Sequence, residues 1–471
     1  MKSSVMLITL IAAAQATTPS QVHLALAGTK GGYPSGMRVM WFTASLTSSI
    51  VEYGLNETRL TSNATGSAAR NYLEGHGYHH AVALVGLTPG TTYYYRVGDG
   101  ISAWSQKFSF RSAAARSDVE VSLSVFGDMG YLNSTARHML IPLEAPNKAW
   151  TASHTYDRLR GLVDAGTING VWHLGDIGYA DDTFAYFKDV VSFGYEDTYN
   201  AYMEWLEPIT SAVPYMVTVG NHESECHSPA CLVREGKYAK PLSNFSAYNT
   251  RWSMPYAESH GTSNMWYSFN LGAAHLIALD TETDWDGAEE EGTGDSHIPW
   301  LRAGSFGREG EYLAWLEADL KAADAARKSA ARTSGAADNR PWIIAGGHRP
   351  WEELRVSHGA LFAKYGVDAY FAGHAHSYRR ETTTLAADGT KEDDGGTPML
   401  SVVVGGPGCD EMHADTGPPP DPSSRGMGQP SYATHRYASG VLRVNQTALV
   451  WQLLDSMDGS VLDEVRLSKS L

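Results

Sequence analysis

The sequence predicts an α/β protein in which an antiparallel β-sandwich precedes a layered α/β domain. Three observations support this prediction. The 471 residues exceed what one hydrophobic core usually fills, so we expect more than one domain. Short alternating segments without helices occupy the first part of the chain. From about residue 117 onward, apolar strands alternate with helical segments.

The first part of the chain contains short segments of alternating apolar and polar residues. Gly, Pro and Thr separate them, which is typical of an antiparallel sandwich. The predicted strands are 22–26, 37–42, 50–53, 80–85, 93–97 and 108–110. The segment 87–95 resembles the turn-and-tyrosine segment of fibronectin type III domains, in which a tyrosine hydroxyl holds a corner to the backbone. We expect a structural role for this part.

The second part contains apolar strands that end in glycine and polar residues. The predicted strands are 121–126, 171–174, 215–219, 342–345 and 367–371. Helical spacing of apolar residues predicts helices over 156–163 and about 309–327. The segments 282–295 and 412–430 are predicted loops, long enough to be a lid or a mobile excursion. The stretch 440–467 predicts a closing hairpin with a turn at 457–459.

Composition excludes several classes of protein. A hydrophobic content of 43% is too high for a disordered chain. The net charge of −16, from 52 acidic and 36 basic residues, argues against a partner that is a nucleic acid or an anionic membrane. A local cationic site remains compatible with this charge.

The first sixteen residues have the pattern of a secretory signal peptide. Lys2 precedes an apolar run over 5–14, and Ala14-Gln15-Ala16 has the form of a cleavage site. An ordinary buried first helix is the alternative. The run is too short to span a bilayer, and no later apolar stretch approaches the length of a membrane span. We therefore expect a secreted protein, located extracellularly, in the cell wall or in a vacuolar or lysosomal lumen.

Glycosylation motifs and cysteines fit a secreted protein. The Asn-x-Ser/Thr motifs begin at Asn56, Asn63, Asn133, Asn244 and Asn445. Among the three cysteines, Cys226 and Cys231 lie close enough in sequence for a local disulfide. Cys409 is then left buried, free or paired with a second chain. The alternative for all three is a buried small apolar residue.

Side chains that bind metals follow each of the five predicted strands of the second part. They are Asp128, Asp176, Asn221, His348, and the pair His374 and His376. Glycine precedes each residue or pair, which allows the backbone to turn sharply and approach closely. Open α/β sheets bind ligands at the carboxyl ends of their strands, so we expect these side chains to meet.

The predicted ligands indicate two metal ions. Carboxylate oxygens, an amide oxygen and imidazoles suit Fe, Mn and Zn. Six residues are too many for one tetrahedral zinc, whereas two ions bridged by a carboxylate accommodate them. Such a pair activates water and clamps a phosphoryl group.

These motifs resemble the metal-binding blocks of the purple acid phosphatases, which are calcineurin-like metallophosphoesterases. The blocks are Gly127-Asp128-Met129-Gly130, Gly175-Asp176-Ile177-Gly178-Tyr179, Gly220-Asn221-His222-Glu223, Ala345-Gly346-Gly347-His348 and Gly373-His374-Ala375-His376. The resemblance implies a signal peptide at 1–16, a fibronectin III-like sandwich at 17–114 and an α/β/β/α catalytic domain at 117–410. The segment 411–471 would complete that catalytic domain.

The resemblance also implies a role for each ligand. Asp128, Tyr179 and His376 would hold Fe(III), and Asp176 would bridge the ions. Asn221, His348 and His374 would hold a divalent Zn, Mn or Fe ion. A phenolate from Tyr179 would absorb visible light with Fe(III).

Other positions of the family pattern concern the substrate. His222 would face the substrate phosphate and protonate the leaving group. His358, ten residues after His348, would also face the substrate. Arg379 stands where many family members have Glu, which could alter the surroundings of the metals.

The resemblance implies a secreted acid phosphatase that hydrolyses small phosphate monoesters by attack of a metal-bound hydroxide. Phosphodiesterase, nucleotide pyrophosphatase or phytase activity at the same site remains an alternative. A secreted binding module with a degenerate catalytic domain is another, although no predicted ligand is missing. A homodimer joined through Cys409 is left open, as some plant members form one.

Overall fold

The computed structural model describes residues 18–130, 152–181, 193–224, 237–290, 303–331, 340–385, 396–409 and 431–470. The predicted signal peptide, Asn133, Cys226, Cys231 and the loop 412–430 lie outside the described residues, as does the end of the loop 282–295. Within the described residues, no helix has the length and apolarity needed to cross a membrane.

The N-terminal part consists of two antiparallel sheets. Its strands are β1 (Ser20–Lys30), β2 (Tyr33–Thr43), β3 (Ile50–Gly54), β4 (Ser62–Thr65), β5 (Tyr78–Leu84), β6 (Thr92–Gly98) and β7 (Phe108–Arg111). The sheets have the orders β1-β2-β5 and β4-β3-β6-β7. Six of these strands agree with the prediction. The seventh, β4, is a short polar edge strand without the apolar alternation that identifies a half-buried strand.

The tyrosine corner expected from the segment 87–95 is present. The backbone N–H of Thr88 donates a hydrogen bond to the Tyr93 hydroxyl at 3.0 Å. The ring of Tyr93 is buried and stacks on Phe110. This bond holds the turn before β6 to the sheet, as the resemblance to fibronectin type III domains predicts.

The second part contains two larger mixed sheets and their helices. Its strands are β8 (Val121–Phe126), β9 (Gly170–Leu174), β10 (Tyr215–Thr218), β11 (Tyr267–Leu271), β12 (Ala274–Ala278), β13 (Trp342–Gly346), β14 (Ala369–Ala372), β15 (Tyr378–Leu385), β16 (Thr397–Val404), β17 (Tyr432–Thr434), β18 (Ala438–Val444), β19 (Ala448–Asp455) and β20 (Val461–Ser468). Its helices are α1 (Ala152–Asp164), α2 (Tyr195–Thr210), α3 (Ala239–Leu242), α4 (Ser246–Arg251), α5 (Glu311–Ala331) and α6 (Trp351–Tyr365).

The two sheets combine parallel and antiparallel pairing. The six-stranded sheet has the order β10-β9-β8-β18-β19-β20, and its first three strands are parallel. The seven-stranded sheet has the order β11-β12-β13-β14-β16-β15-β17, with a parallel centre from β12 to β16. The predicted closing hairpin is present as β19 and β20, and β18 joins it to β8.

The sheets pack face to face through large aromatic side chains. Trp172 of β9 lies against Gly346 of β13, where a Cβ would sit 2.6 Å from the indole ring. Phe371 of β14 and Trp451 of β19 have ring centroids 4.9 Å apart. Because these contacts are buried, they fix the parallel strands of both sheets relative to one another.

Two of these helices are predicted from the sequence. The helix predicted over 156–163 is α1, and the one predicted over about 309–327 is α5. The helices α2 and α6 are not predicted. A signal for α2 exists in the spacing of Tyr195, Tyr199, Tyr202 and Leu206, which are all buried.

A buried arginine joins the N-terminal part to the second part. Arg251, at the end of α4, is 1% exposed and pairs with Glu196 of α2 at 2.8 Å. Its other nitrogens donate to the Tyr72 hydroxyl at 2.8 Å and to Gln21 Oε1 at 3.3 Å. Because both acceptors belong to the N-terminal part, this guanidinium connects three segments that are distant in sequence.

We expect Glu196→Gln to lower the free energy of unfolding by about 3–5 kcal/mol, because it leaves the buried Arg251 charge uncompensated. Guanidinium denaturation measures this change. The matched control is Glu52→Gln, which removes a half-exposed pair with Arg96. We expect a loss of at most about 1 kcal/mol from the control. Equal losses in the two variants would contradict the assigned importance of Arg251.

Candidate metal centre

Five strand ends meet at one edge of the two sheets. Asp128, Asp176 and Asn221 follow β8, β9 and β10 of the six-stranded sheet. His348 and His374 follow β13 and β14 of the seven-stranded sheet. Because the sheets pack face to face, the carboxyl ends of their parallel strands bring these side chains together, as the sequence predicts.

One group of predicted ligands surrounds Asn221. The Asn221 Oδ1 lies 3.0 Å from His348 Nε2 and 3.2 Å from His374 Nδ1. His348 Nε2 also lies 3.1 Å from Asp176 Oδ2. On the other side of its ring, His348 Nδ1 donates to the Leu174 carbonyl at 2.8 Å. This bond fixes the tautomer that leaves Nε2 free to bind a metal.

A second group surrounds Tyr179. Its hydroxyl lies 3.0 Å from His376 Nε2 and 3.4 Å from both Asp128 Oδ1 and Asp176 Oδ2. Asp176 therefore belongs to both groups. Asp176 with His348 and His374, and Asp128 with Asp176 and His376, each place their candidate ligand atoms within 4.8 Å of one another.

Four of the predicted ligands have an unusual backbone. Asp128, Asp176, Tyr179 and His374 have φ values between 50° and 64°, in the left-handed region. This conformation costs energy in residues other than glycine, so the surrounding structure must enforce it. The preceding glycines allow close approach instead: a Cβ at Gly175 would lie 2.7 Å from His348 Nδ1. Sequence analysis identified these glycines, and it missed the strain in the ligands.

Glu223 holds two of these turns together, and sequence analysis assigned it no role. Its buried carboxylate accepts N–H groups from Asp176 at 2.9 Å, Ile177 at 2.8 Å and Gly220 at 2.9 Å. Burial raises the pKa of Glu223, and the nearby Asp176 carboxylate raises it further, to about 8. The sequence pattern that could have indicated this role of Glu223 is Asn-His-Glu, which places a carboxyl group two residues after a predicted ligand.

The electrostatics of the centre favour positive charge at two of its imidazoles, those of His348 and His376. Burial by itself would lower the pKa of His348, but the Asp176 carboxylate raises it to about 10. Burial likewise opposes protonation of His376, while Cys409 and Asp128 raise its pKa to about 12. Burial raises the pKa of Asp128. The buried carboxylates stabilise positive charge on the neighbouring imidazoles. The same negative field, together with these oxygen and nitrogen donors, suits bound cations.

His222 lies beside both groups and has a buried partner. Its Nδ1 lies 2.8 Å from Oδ2 of Asp181, which is fully buried. Its Nε2 lies 3.9 Å from Asp176 Oδ2, and its ring lies 4.3 Å from that of Tyr179 between centroids. Asp181 thus orients the imidazole toward the metal centre. The sequence pattern alone does not predict a role for Asp181.

The acidic segment 282–295 is packed in its described part, which differs from the expected mobile loop. Glu282 is fully buried and lies 3.0 Å from the guanidinium of Arg349. Arg349 Nη1 lies 3.3 Å from His374 Nε2 and 2.8 Å from Glu289. Burial raises the pKa of Glu353. The positive charge of Arg349 lowers this pKa, and the negative charge of Glu289 raises it. Arg349, missed by sequence analysis, thus joins the segment to the metal centre.

His358 does not join the site. It is fully buried in α6, where its Nε2 lies 3.0 Å from the Tyr312 hydroxyl and its ring packs against Trp285. Burial lowers its pKa to about 3. The expected substrate-facing position is wrong in this structure, because the helix turns the side chain into the core. Spacing along the chain could not show this.

Two other expectations concern residues around the centre. Cys409 is 1% exposed and clusters with Tyr179 and Tyr437, so its thiol is not at a surface where a second chain could pair with it. The option of an interchain disulfide through Cys409 is therefore not supported. Arg379 lies outside the centre, where it pairs with the exposed Glu352 at 2.6 Å.

The predicted glycosylation sites differ in exposure. Asn56 and Asn63 are exposed on the N-terminal part, where a glycan can attach. Asn244 and Asn445 are half-buried and accept backbone hydrogen bonds from Gly304 and Ala448.

Comparison with known families agrees with this geometry. Residues 123–378 match the calcineurin-like phosphoesterase family. Residues 19–112 match the purple acid phosphatase N-terminal domain, and residues 399–464 match the iron/zinc purple acid phosphatase-like C-terminal family. The fold and the site thus define a metallophosphoesterase. The chain belongs to the purple acid phosphatase family, and it is a hydrolase of the acid phosphatase class.

Individual relatives cover most of the chain. Acid phosphatase A of Cryphonectria parasitica is 29% identical over 96% of this chain and 92% of its own length. Human acid phosphatase type 7 is 29% identical over 97% and 92%, and the probable purple acid phosphatase 20 of Arabidopsis thaliana is 30% identical over 77% and 69%. The yellow lupin purple acid phosphatase PPD1 shares the fold, with a TM-score of 0.62, 21% identity and coverage of 96% and 74%.

We expect Glu223→Gln to weaken metal binding by about 10- to 100-fold, because an amide NH₂ would replace an oxygen that accepts backbone N–H groups. Metal content of the purified protein, measured by plasma mass spectrometry after dialysis, reports the loss. The control is the exposed Glu57→Gln in the N-terminal part. Full metal content in Glu223→Gln would contradict the role of this carboxylate.

Proposed function

We propose that the protein is a secreted acid phosphatase that hydrolyses phosphate monoesters at a pair of metal ions. The observation that supports this most is the shared position of Asp176 between two ligand groups. A single carboxylate with other donors on either side is the arrangement that bridges two ions. The named relatives are acid phosphatases, which fits the same reaction.

We assign Asp128, Tyr179 and His376 to Fe(III), with Asp176 as the bridge. The phenol and carboxylates of this group suit a ferric ion, whereas the amide and imidazoles of Asn221, His348 and His374 suit Zn, Mn or Fe(II). When bound, such a pair supplies an acidified water as nucleophile and neutralises charge on the phosphoryl group. The chain's own residues hold these donors in place before substrate arrives, because the ligand turns are buried and bonded.

His222 is the proposed proton donor to the leaving group. Asp181 accepts the hydrogen bond from Nδ1, which leaves Nε2 pointing to the centre. A protonated imidazole at that position can give its proton to the departing alkoxide. Acid pH favours the protonated ring, so we expect an acid optimum. Asp181 acts as a positioning residue, because it holds the His222 ring and is not itself a predicted ligand.

The cellular location and the domain limits are also proposals. The pattern of residues 1–16 and the exposed Asn56 and Asn63 support secretion. The limits 17–114 and the start at 117 lie close to the matched ranges 19–112 and 123–378, whereas the limit at 410 lies beyond the second range. The closing segment 411–471 contains β18 to β20, which complete the six-stranded sheet.

The decisive test is Asp176→Asn, which removes the shared charge but keeps a residue that tolerates the left-handed backbone. We expect p-nitrophenyl phosphate hydrolysis to fall by at least about 100-fold with the fold retained. The wild-type protein should be more active at pH 5 than at pH 9. Retained turnover in the variant, or equal wild-type activity at both pH values, would argue against the proposal.

The Tyr179 assignment is tested by the visible spectrum. A phenolate bound to Fe(III) absorbs visible light by charge transfer, so Tyr179→Phe should lose the band of the iron-loaded wild type. The matched control is Tyr437→Phe, since Tyr437 is a buried tyrosine in the same cluster and is not a predicted ligand. An unchanged spectrum in Tyr179→Phe, or loss of the band in the control, would refute the assignment.

A further inference from the structure

Arg349 lies at the His374 edge of the metal centre. Its Nη1 lies 3.3 Å from Nε2 of His374, the ring nitrogen opposite the Nδ1 that faces Asn221. The same Nη1 lies 2.8 Å from Glu289 and 3.7 Å from Glu353. One guanidinium nitrogen therefore separates the edge of the metal centre from two carboxylates.

The cluster around Arg349 contains more negative than positive charge. Glu282 is buried and lies 3.0 Å from the guanidinium, so its negative charge already balances the single positive charge of Arg349. The side chains of Glu289 and Glu353 are 52% and 36% exposed. In the part of the chain that the structure describes, no cation other than Arg349 pairs with either of them. Among these described residues, nothing else balances the negative charge that they present toward solvent.

Hydrogen bonds tie the start of the acidic segment to the turn that follows β13. The Thr281 hydroxyl oxygen accepts the N–H groups of His348 and Arg349, each at 3.1 Å. Asp280 accepts the N–H groups of Glu282 at 2.9 Å and Thr283 at 3.0 Å. The acidic segment is therefore tied to the metal-binding turn, and a charge held rigidly can act on a substrate at that turn.

We propose that Glu289 and Glu353 form an acidic rim that selects substrates by the charge of the leaving group. The rim disfavours esters whose leaving group has further negative charge, such as a second phosphate, and favours neutral or cationic leaving groups. This inference rests on the phosphatase function proposed above. It narrows the substrate class and argues against polyphosphorylated substrates.

The physical reason is repulsion between like charges near a partly buried site. Phosphate monoesters and pyrophosphate all present a terminal phosphoryl group to the metals, so the effect of the rim on that group cancels when two substrates are compared. What remains is its interaction with the leaving group, which projects away from the metals. Unfavourable charge pairs of this kind produce specificity without a new favourable contact.

The test compares wild type with the double variant Glu289→Gln and Glu353→Gln. The substrates are phosphocholine, p-nitrophenyl phosphate and pyrophosphate, with cationic, neutral and anionic leaving groups, assayed at pH 7 and low ionic strength. We expect kcat/KM for pyrophosphate, relative to p-nitrophenyl phosphate, to rise roughly 3- to 30-fold in the variant. The relative value for phosphocholine should fall. Glu74→Gln, exposed on the N-terminal part, should change neither ratio.

Two further measurements separate the possible failures. Titration calorimetry with imidodiphosphate, which is not hydrolysed, should show tighter binding to the double variant than to wild type. Raising the salt concentration should narrow the wild-type preference, because screening weakens exposed charges. The proposed role of the rim would be overturned if an active double variant had unchanged kcat/KM ratios and unchanged affinity for imidodiphosphate. A wild type without monoesterase activity would instead overturn the proposed function.

Discussion

The shared carboxylate of Asp176 is the constraint around which the site is arranged. It contacts His348 from the seven-stranded sheet and Tyr179 from its own loop. Placing it there requires a left-handed backbone at Asp176. It also requires glycines where the neighbouring turns approach closely, because a Cβ would not fit there. Glu223 accepts hydrogen bonds from three backbone N–H groups, and these bonds hold the strained turn. The two-metal arrangement therefore depends on one buried carboxylate positioned by another.

The packing of the two sheets determines where that turn lies. Trp172 against Gly346 sets the relative position of β9 and β13, which deliver predicted ligands from opposite sheets. Phe371 against Trp451 packs β14 on β19 of the other sheet. The N-terminal part is anchored to the same framework through Arg251. The negative charge of the whole chain does not define the site, because the carboxylates that matter are buried around cation-binding positions.

Much of the fold and the centre could be predicted from the sequence, because both depend on local patterns. Strands ending in Gly-Asp, Gly-Asn-His and Gly-His-x-His are visible as apolar runs followed by ligand types. The tyrosine corner has a local signature as well. What could not be predicted depends on side chains that meet across long separations: Asp181 with His222, Glu223 with two turns, and Arg349 with the acidic segment. For His358 the sequence predicted a role that the structure does not support. Its spacing from His348 fits the family pattern, but α6 buries the side chain.

The sequence by itself predicted the class of fold, the set of candidate ligands and the position of these residues in turns at strand ends. These features follow from residue type and from spacing within single segments, and both can be read from the sequence. Only the tertiary structure decided which ligands share Asp176, which carboxylates serve as supports, and which acidic residues lie beside the centre. Burial and distance between segments set those outcomes, and neither is encoded at any one position along the chain.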